Sequence, residues 1–529
     1  MPDKKRIPRA EKPSEVGVSS KEVQNLINEW EKEKVNIHSV MILRHGKVAC
    51  EAFKSPLQPT DSHMVYSVSK SFLSVAFGFA VDEGFISLDT KFIDIFPEYR
   101  DKKDKNLEKL TLLDLVAMRS GKRFSVLAKR IDNWIDYFVN GYWDFEPGTD
   151  WRYVSENFFV VSAALKRATG MGLNEFLTPR LYEPLGIDVP FWERSPDNIE
   201  AGGWGIQLKT EDIAKFILCC HNNGVYDGKQ VIPAWYLEKA TAYQSDNSRS
   251  QRKPDSQAGY GYGFWRCAGV KNAFRCEGLY SQYGISLKDY DACIVTTAST
   301  ANLQLTLDVL WKYIDKIFIE ENSSDNADNI SIGISPSPEH GVKRNPEKEK
   351  QITGNTYKMR KKIFLNMINY PVSVLPMPAI YFSKDPGGNI QNIHFDFNEN
   401  GLDFSWIEDG GFKNKIYVSM NGEHRRSKII LGEMEFDVLA TAKWLDEKTL
   451  EMIVRPLSTV ASRRLVFTFN GDRITLYPDV IPPLSENAKT IGETIKCVLP
   501  GTYFKMWVDI LVPKITMILQ PKHHGKAGR

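Results

Sequence analysis

Cysteine is scarce in this chain of 529 residues: Cys50, Cys219, Cys220, Cys267, Cys276, Cys293 and Cys497 make an odd seven, with no CxxC pair and no Cys/His cluster at zinc spacing. That pattern excludes a disulfide framework and a structural zinc site, so reduced thiols are expected. The nine histidines are scattered, and His523 and His524 fall in a basic tail that reads as solvated rather than metal-binding. Neither a metal nor a cofactor is expected. Charge of one sign is also lacking: 68 Lys+Arg stand against 66 Asp+Glu, a formal +2, which leaves no broad footprint for nucleic acid or an anionic membrane. A small-molecule or short-peptide partner is the expectation. The first twenty residues, MPDKKRIPRAEKPSEVGVSS, lack the apolar run of roughly 7–15 residues at the heart of a secretory signal, so a cytoplasmic location is expected. The most apolar stretch, WVDILVPKITMIL at 507–519, carries Asp509, Pro513 and Lys514 and falls short of the ~20 residues needed to span a bilayer. It reads as a packed strand or helix, with a membrane-surface anchor as the alternative.

What is present is ordinary globular composition, 42% hydrophobic, 12% aromatic and 25% charged, and the length asks for two or three domains at ~100–200 residues each. The clearest composition shift lies at 320–351, where Ser, Asn, Pro and charged residues replace apolar periodicity, as in a linker. Before it, helical stretches at 70–83 and 210–221 alternate with β-rich pieces at 39–53 and 292–297. After it the pattern becomes two-residue alternation: 393–397, a turn at 398–401, 402–406, then 415–420, 438–444, 450–454, 465–469 and, past Asn470-Gly471-Asp472, 474–477. Short strands at this spacing predict an antiparallel barrel or sandwich.

The sharpest local signal is Tyr66-Ser67-Val68-Ser69-Lys70-Ser71, followed at once by the apolar run FLSVAFGFAVDEG. In this S-x-x-K, three residues are nearly one helical turn, so Ser67 and Lys70 share a face. A serine hydroxyl is a poor nucleophile until something takes its proton, and a lysine whose pKa is lowered by burial can do so. The alternative is a capped surface helix. A second segment, Pro147-Gly148-Thr149-Asp150-Trp151-Arg152-Tyr153-Val154-Ser155-Glu156-Asn157, also leads into an apolar run, FFVVSAALKRATG.

The ordered set of S-x-x-K, LTLLDLVAMRSG at 110–121, PGT-x-W-x-Y-x-S, Gly202-Gly203-Trp204-Gly205, the KTEDIA run at 209–214, VYDGK at 225–229 and GYGYGFW at 259–265 resembles the serine β-lactamase-related superfamily over roughly residues 20–315. That superfamily holds class C β-lactamases, penicillin-binding D-alanyl carboxypeptidases, β-lactamase-type esterases and 6-aminohexanoate-oligomer hydrolases. The resemblance implies an α/β (α+β) fold, an antiparallel sheet flanked by helices plus an all-helical region. It implies Ser67 as the acylated nucleophile, with Lys70 and Tyr153 as the acid/base pair. Which of the two takes the serine proton stays open.

The family's third element, Lys-Thr-Gly or His-x-Gly, matches Cys276-Glu277-Gly278. Glycine there lets the strand approach the substrate, and the resemblance implies an oxyanion hole of the Ser67 and Leu279 amides. Two departures stand out. Cys276 takes the cationic position, and Ser155 replaces the usual Asn. Both weaken a β-lactamase or D-amino-acid-peptidase reading and favour an esterase- or oligomer-hydrolase-like one. Ser155, Cys276, Gly278, Trp143 and Tyr280 are the candidate substrate-binding residues. Cys276 also reads as a small buried residue. The aromatics Trp134, Tyr137, Phe138, Tyr142, Trp143, Phe145, Trp151, Trp204, Tyr280 and Tyr283 are core residues or, between 134 and 151, the wall of an apolar acyl or alcohol pocket.

Beyond the linker, VLATAKWLDEKTLEMIVR and LVFTFNGDRITL resemble the lipocalin-like β-barrel, of eight strands, appended to some prokaryotic members. The expected organisation is an extension at 1–19, a hydrolase domain at 20–319, a linker at 320–351, a barrel at 352–480 and a C-terminal extension at 481–529, packed on the barrel or on the catalytic domain. The expected activity is a serine hydrolase working through an acyl-enzyme on a small ester or amide, with water or an acceptor alcohol or amine releasing the acyl group. The alternatives are a D-amino-acid peptidase or β-lactamase and, from another class, a non-catalytic ligand-binding protein on the same fold.

Overall fold

In a computed structural model, residues 6–123, 133–249, 253–323, 344–360, 373–375, 390–431, 434–481 and 522–528 are described. Cys497, the apolar stretch at 507–519 and most of the expected linker and C-terminal extension lie outside them. The chain divides into two compact units, residues 1–334 without 55–57, and 335–529 together with 55–57.

The first unit is built on a six-stranded antiparallel sheet of β1 (Ile37–Arg44), β2 (Lys47–Phe53), β3 (Trp265–Arg266), β4 (Phe274–Gly278), β5 (Gln282–Leu287) and β6 (Ala292–Ala298), in the order β2-β1-β6-β5-β4-β3. One face takes α1 (Ser20–Lys32), started by Ser19, whose hydroxyl accepts from the Glu22 amide at 3.2 Å. Its Val23, Leu26, Ile27 and Trp30 recur at helical spacing and pack with Leu307 and Leu310 of α5 (Leu303–Trp311) against Val40, Ile42, Ile285 and Ile294. Trp30 is fully buried and donates its indole N–H to the Thr306 carbonyl at 3.1 Å, so Trp30→Ala would cost about 3–5 kcal/mol.

The opposite face takes α4 (Thr210–His221), which lies against β1, β5 and β6. Helices α2 (Ser69–Asp82) and α3 (Glu156–Thr169) pack together, and α2 also reaches β4. Helix α2 is apolar all round because it is buried all round, from Phe72 to Ala80. Its Gly78 is required by the Tyr236 ring, 2.4 Å from where a Cβ would stand. This is the antiparallel sheet with flanking helices that the motifs imply.

The second unit is a closed barrel. Its strands are β7 (Thr356–Met359), β8 (Asn392–Phe397), β9 (Gly401–Ile407), β10 (Lys413–Ser419), β11 (Ser427–Leu431), β12 (Met434–Trp444), β13 (Thr449–Pro456), β14 (Ser462–Asn470), β15 (Arg473–Ile481) and β16 (His523–Ala527), ordered β10-β9-β8-β7-β16-β15-β14-β13-β12-β11. A parallel pairing of Ser419 with Thr441 joins β10 to β12 and closes a ring of nine, leaving β11 as a hairpin partner of β12. The alternation read in the sequence is the alternation observed: Leu402, Phe404 and Trp406 face the barrel core, as do Leu465, Phe467 and Phe469.

Three particulars differ from the sequence reading. The ring has nine strands rather than eight, because His523–Ala527 pairs with both β7 and β15. His523, expected in a solvated tail, is therefore 1% exposed. The end of the expected linker is a helix, α6 (Pro346–Ile352), whose Glu349 accepts from the Trp444 indole at 2.9 Å and from Arg344 at 2.6 Å. Composition alone missed it because six of its seven residues, PEKEKQI, are polar or proline.

Candidate active site

Ser67 lies in a single 3-10 turn, Tyr66–Val68, that runs straight into α2. The turn is held in an unusual shape: Tyr66 has φ +49°, a left-handed backbone that costs a bulky residue about 1–3 kcal/mol. The Tyr66 carbonyl accepts from Ser69 Oγ at 2.5 Å, and its ring packs on Tyr280 with centroids 5.4 Å apart. The Val65 amide donates to the Ile206 carbonyl at 3.1 Å. These contacts fix the turn, and Ser67 remains partly exposed at its apex.

One turn along, Lys70 is 1% exposed. Its Nζ donates to Ser67 Oγ at 2.9 Å, to Ser155 Oγ at 3.1 Å and to the Gly203 carbonyl at 2.6 Å. Three acceptors match the three protons of an ammonium. Burial nevertheless dominates and draws the pKa down to about 7, opposed by the charge of Glu156. The Lys70 nitrogen also stands 4.9 Å from the Tyr153 ring centroid and 5.9 Å from that of Phe158. Tyr153 is partly exposed. Burial raises its pKa, a hydrogen bond with Ser67 opposes this, and the charges of Glu277 and Glu156 reinforce it.

Ser155 thus does one task at the site: its hydroxyl accepts from Lys70. Gly278 closes the other side, since a Cβ there would stand 2.1 Å from the Val65 carbonyl oxygen. Only glycine lets β4 come this close to the serine turn. Leu279 and Tyr280 follow in a turn whose carbonyls both accept from Gln282 Nε2, at 3.2 and 3.1 Å, with Tyr280 and Ser281 at φ +65° and +69°.

Two expected residues take partners outside this set. The Cys276 thiol donates to the Gly284 carbonyl at 3.4 Å, and a Cβ at Gly284 would meet that sulfur together with Ile213 and Ile217 of α4. Cys276 is fully buried, with its pKa raised to about 12 by that burial. None of Ser67, Lys70 and Tyr153 is the partner of that thiol among the described residues. Trp143 donates its indole N–H to Asp104 at 2.8 Å, and the Lys122 ammonium sits 3.9 Å above its ring. Of the flanking aromatics, Trp134, Phe138, Trp204 and Tyr283 are core, whereas Tyr142 is 80% exposed.

Sequence reasoning missed the role of Gly203. It sits within the quoted GGWG run, and a Cβ there would stand 2.3 Å from the Ser155 carbonyl oxygen, so glycine is what brings its own carbonyl to Lys70. It also gave no role to Glu156, Trp265 and Glu277, although each lies inside a quoted motif.

The beta-lactamase family model matches residues 26–316, more than half of the chain. Among curated proteins, the chain is 23% identical over 247 residues to an uncharacterized protein of Alkalihalophilus pseudofirmus, covering 41% of this chain and 68% of that one. It is 26% identical over 176 residues to the lovastatin esterase of Penicillium rubens, covering 28% and 44%, and 23% identical over 257 residues to a beta-lactamase of Escherichia coli, covering 40% and 66%. It therefore spans less than half of the esterase and about two thirds of the other two. A proposed 6-aminohexanoate-dimer hydrolase from Bacillus anthracis shares the fold at TM-score 0.51 and 17% identity, over 59% of this chain and 87% of that one. With the sheet and the buried S-x-x-K lysine agreeing with the family model over residues 26–316, the chain belongs to the beta-lactamase family, whose members are serine hydrolases.

Proposed function

We propose that the protein hydrolyses a small ester or amide through an acyl-enzyme on Ser67. The observation that carries this reading is the buried Lys70 amine, 2.9 Å from Ser67 Oγ with its pKa brought down to about 7. As an ammonium, Lys70 donates to three acceptors. As the free amine it accepts the Ser67 proton while that oxygen attacks the carbonyl carbon. Tyr153, a neutral phenol, would give its proton to the leaving oxygen or nitrogen and take one back from the Lys70 ammonium, which returns Lys70 to the free amine. The Ser67 and Leu279 amides would hold the oxyanion, a task of the backbone that the loss of a cation at position 276 leaves untouched. Collapse of the tetrahedral adduct expels the leaving group. Water, or an acceptor alcohol or amine, then takes the acyl group, with Lys70 again as base.

An esterase-type substrate fits better than a β-lactam or a D-alanyl peptide, because the usual strand cation is replaced by a thiol turned to α4. The test is turnover of short p-nitrophenyl esters, a chromogenic cephalosporin and a D-alanyl-D-alanine peptide by wild type and Ser67→Ala. Ester turnover lost in Ser67→Ala is the expected result. Turnover of only the cephalosporin or the peptide would overturn the substrate assignment.

A further inference from the structure

Glu277 immediately precedes Gly278, the residue on which β4 meets the serine turn. Its side chain is 12% exposed. Oxygen Oε2 accepts from Arg275 Nε at 2.7 Å, and among the described residues Oε1 accepts no hydrogen bond. A carboxylate oxygen is thus left without a hydrogen bond one residue from Gly278, and the charge of Glu277 bears on Tyr153.

Among the described residues, neither Lys70 nor Arg275 donates to that oxygen. Lys70 spends its three donors on Ser67, Ser155 and Gly203. Arg275 is wholly buried, with donors on Glu277, the Arg266 carbonyl, Cys267 Sγ and the Asp255 carbonyl. The Asp255 carboxylate stands 3.9 Å from Arg275 as well. The trio of Asp255, Arg275 and Glu277 therefore carries two negative charges against one positive.

Beside it is an aromatic wall. Trp265 packs tilted against Tyr153, with centroids 5.4 Å apart, and edge-on against Tyr260 at 4.9 Å and Trp151 at 5.8 Å. Tyr260 is wholly buried and its hydroxyl has no hydrogen-bond partner among the described residues, although the charge of Glu277 bears on it. A carboxylate oxygen without a hydrogen bond and the partly exposed rings of Trp151 and Tyr153 form the chemistry that holds an ammonium group and repels a carboxylate.

We propose that the site takes esters or amides bearing an ammonium group, selected by Glu277 beside the partly exposed rings of Trp151 and Tyr153. This rests on the hydrolase reading above and names its substrate class. Two matched series test it. On the alcohol side these are acetate esters of choline, of 3,3-dimethylbutanol and of 3-hydroxypropanoate. On the acyl side they are p-nitrophenyl esters of 4-(trimethylammonio)butanoate, 5,5-dimethylhexanoate and glutarate.

In wild type the cationic ester should exceed its neutral isostere in kcat/KM by about tenfold, or ~1.4 kcal/mol, in at least one series, with the anionic ester slowest. In Glu277→Gln, checked for folding by circular dichroism, that ratio should fall close to one, and Glu277→Asp should keep part of it. The ratio within each variant cancels changes in overall activity. A wild-type ratio near or below one in both series, or a ratio that survives in folded Glu277→Gln, overturns the proposal while leaving the hydrolase reading in place. No turnover of any ester, with Ser67 unlabelled by a fluorophosphonate, overturns both.

Discussion

Replacing Lys70 by arginine tests the proton-transfer argument at its root. An unperturbed lysine near pKa 10.5 is a free amine in only about one molecule in 3,000 at pH 7. Burial brings Lys70 to about 7, so about half of the molecules carry the base at that pH, a gain of about a thousandfold in competent enzyme. Arginine keeps the charge and several donors but does not deprotonate in this range. Single-turnover acylation by a p-nitrophenyl ester, followed as the p-nitrophenol burst from pH 5 to 9, is the assay. In wild type the rate should climb about tenfold per pH unit below 7 and level off above it, because the deprotonated amine is the reactive form. In Lys70→Arg the rate should fall by about 10²–10⁴ and lose the inflection. A wild-type rate flat from pH 5 to 9, or a Lys70→Arg rate within tenfold of wild type with the inflection kept, would refute the reasoning.

The same shift has a stability sign. The folded value of Lys70 lies below its unfolded one, so the unfolded chain binds more protons between about pH 7 and 10.5, and stability should rise with pH across that window by up to ~1.4 kcal/mol per unit. Urea unfolding at several pH values should show this component in wild type and not in Lys70→Met. Ser155→Ala removes one acceptor of the ammonium, so the acid limb of the burst profile should move to lower pH. Gly278→Ala would place a methyl against the Val65 carbonyl oxygen. Acylation should drop by at least about 10²-fold as the strand and the serine turn separate. Cys276→Ala loses only a weak S–H bond turned to α4, so ester turnover should stay within about twofold, with a stability loss of about 1 kcal/mol by thermal melting.

Much of the fold was legible because its periods are plain. The alternation at 402–406 and 465–469 is the inward row of two barrel strands, and the unbroken apolar run after Lys70 is a helix buried on every side. The pairing of Ser67 with Lys70 was legible too, since three residues fix the face of a helix whatever surrounds it. Long-range closure was not. His523–Ala527 reads HHGKA, without apolar alternation, and becomes a strand because β7 and β15 leave room for it. The direction of Cys276 was equally hidden: the motif fixed a position along the strand, while the pairing with Gly284, which leaves room for the sulfur, decided what its thiol faces. Glu277 went unnoticed because a lone carboxylate between motif residues has no pattern, and its meaning comes from Arg275, Tyr260 and Trp265 around it.

The central claim, that Ser67 is an activated nucleophile, is tested most directly by treating the full chain with a fluorophosphonate probe and mapping the adduct by peptide mass spectrometry. A single adduct on Ser67 is predicted, absent from Ser67→Ala and formed faster at pH 8 than at pH 6 as Lys70 gives up its proton. No adduct on wild type, or equal labelling of Ser67→Ala, would contradict it.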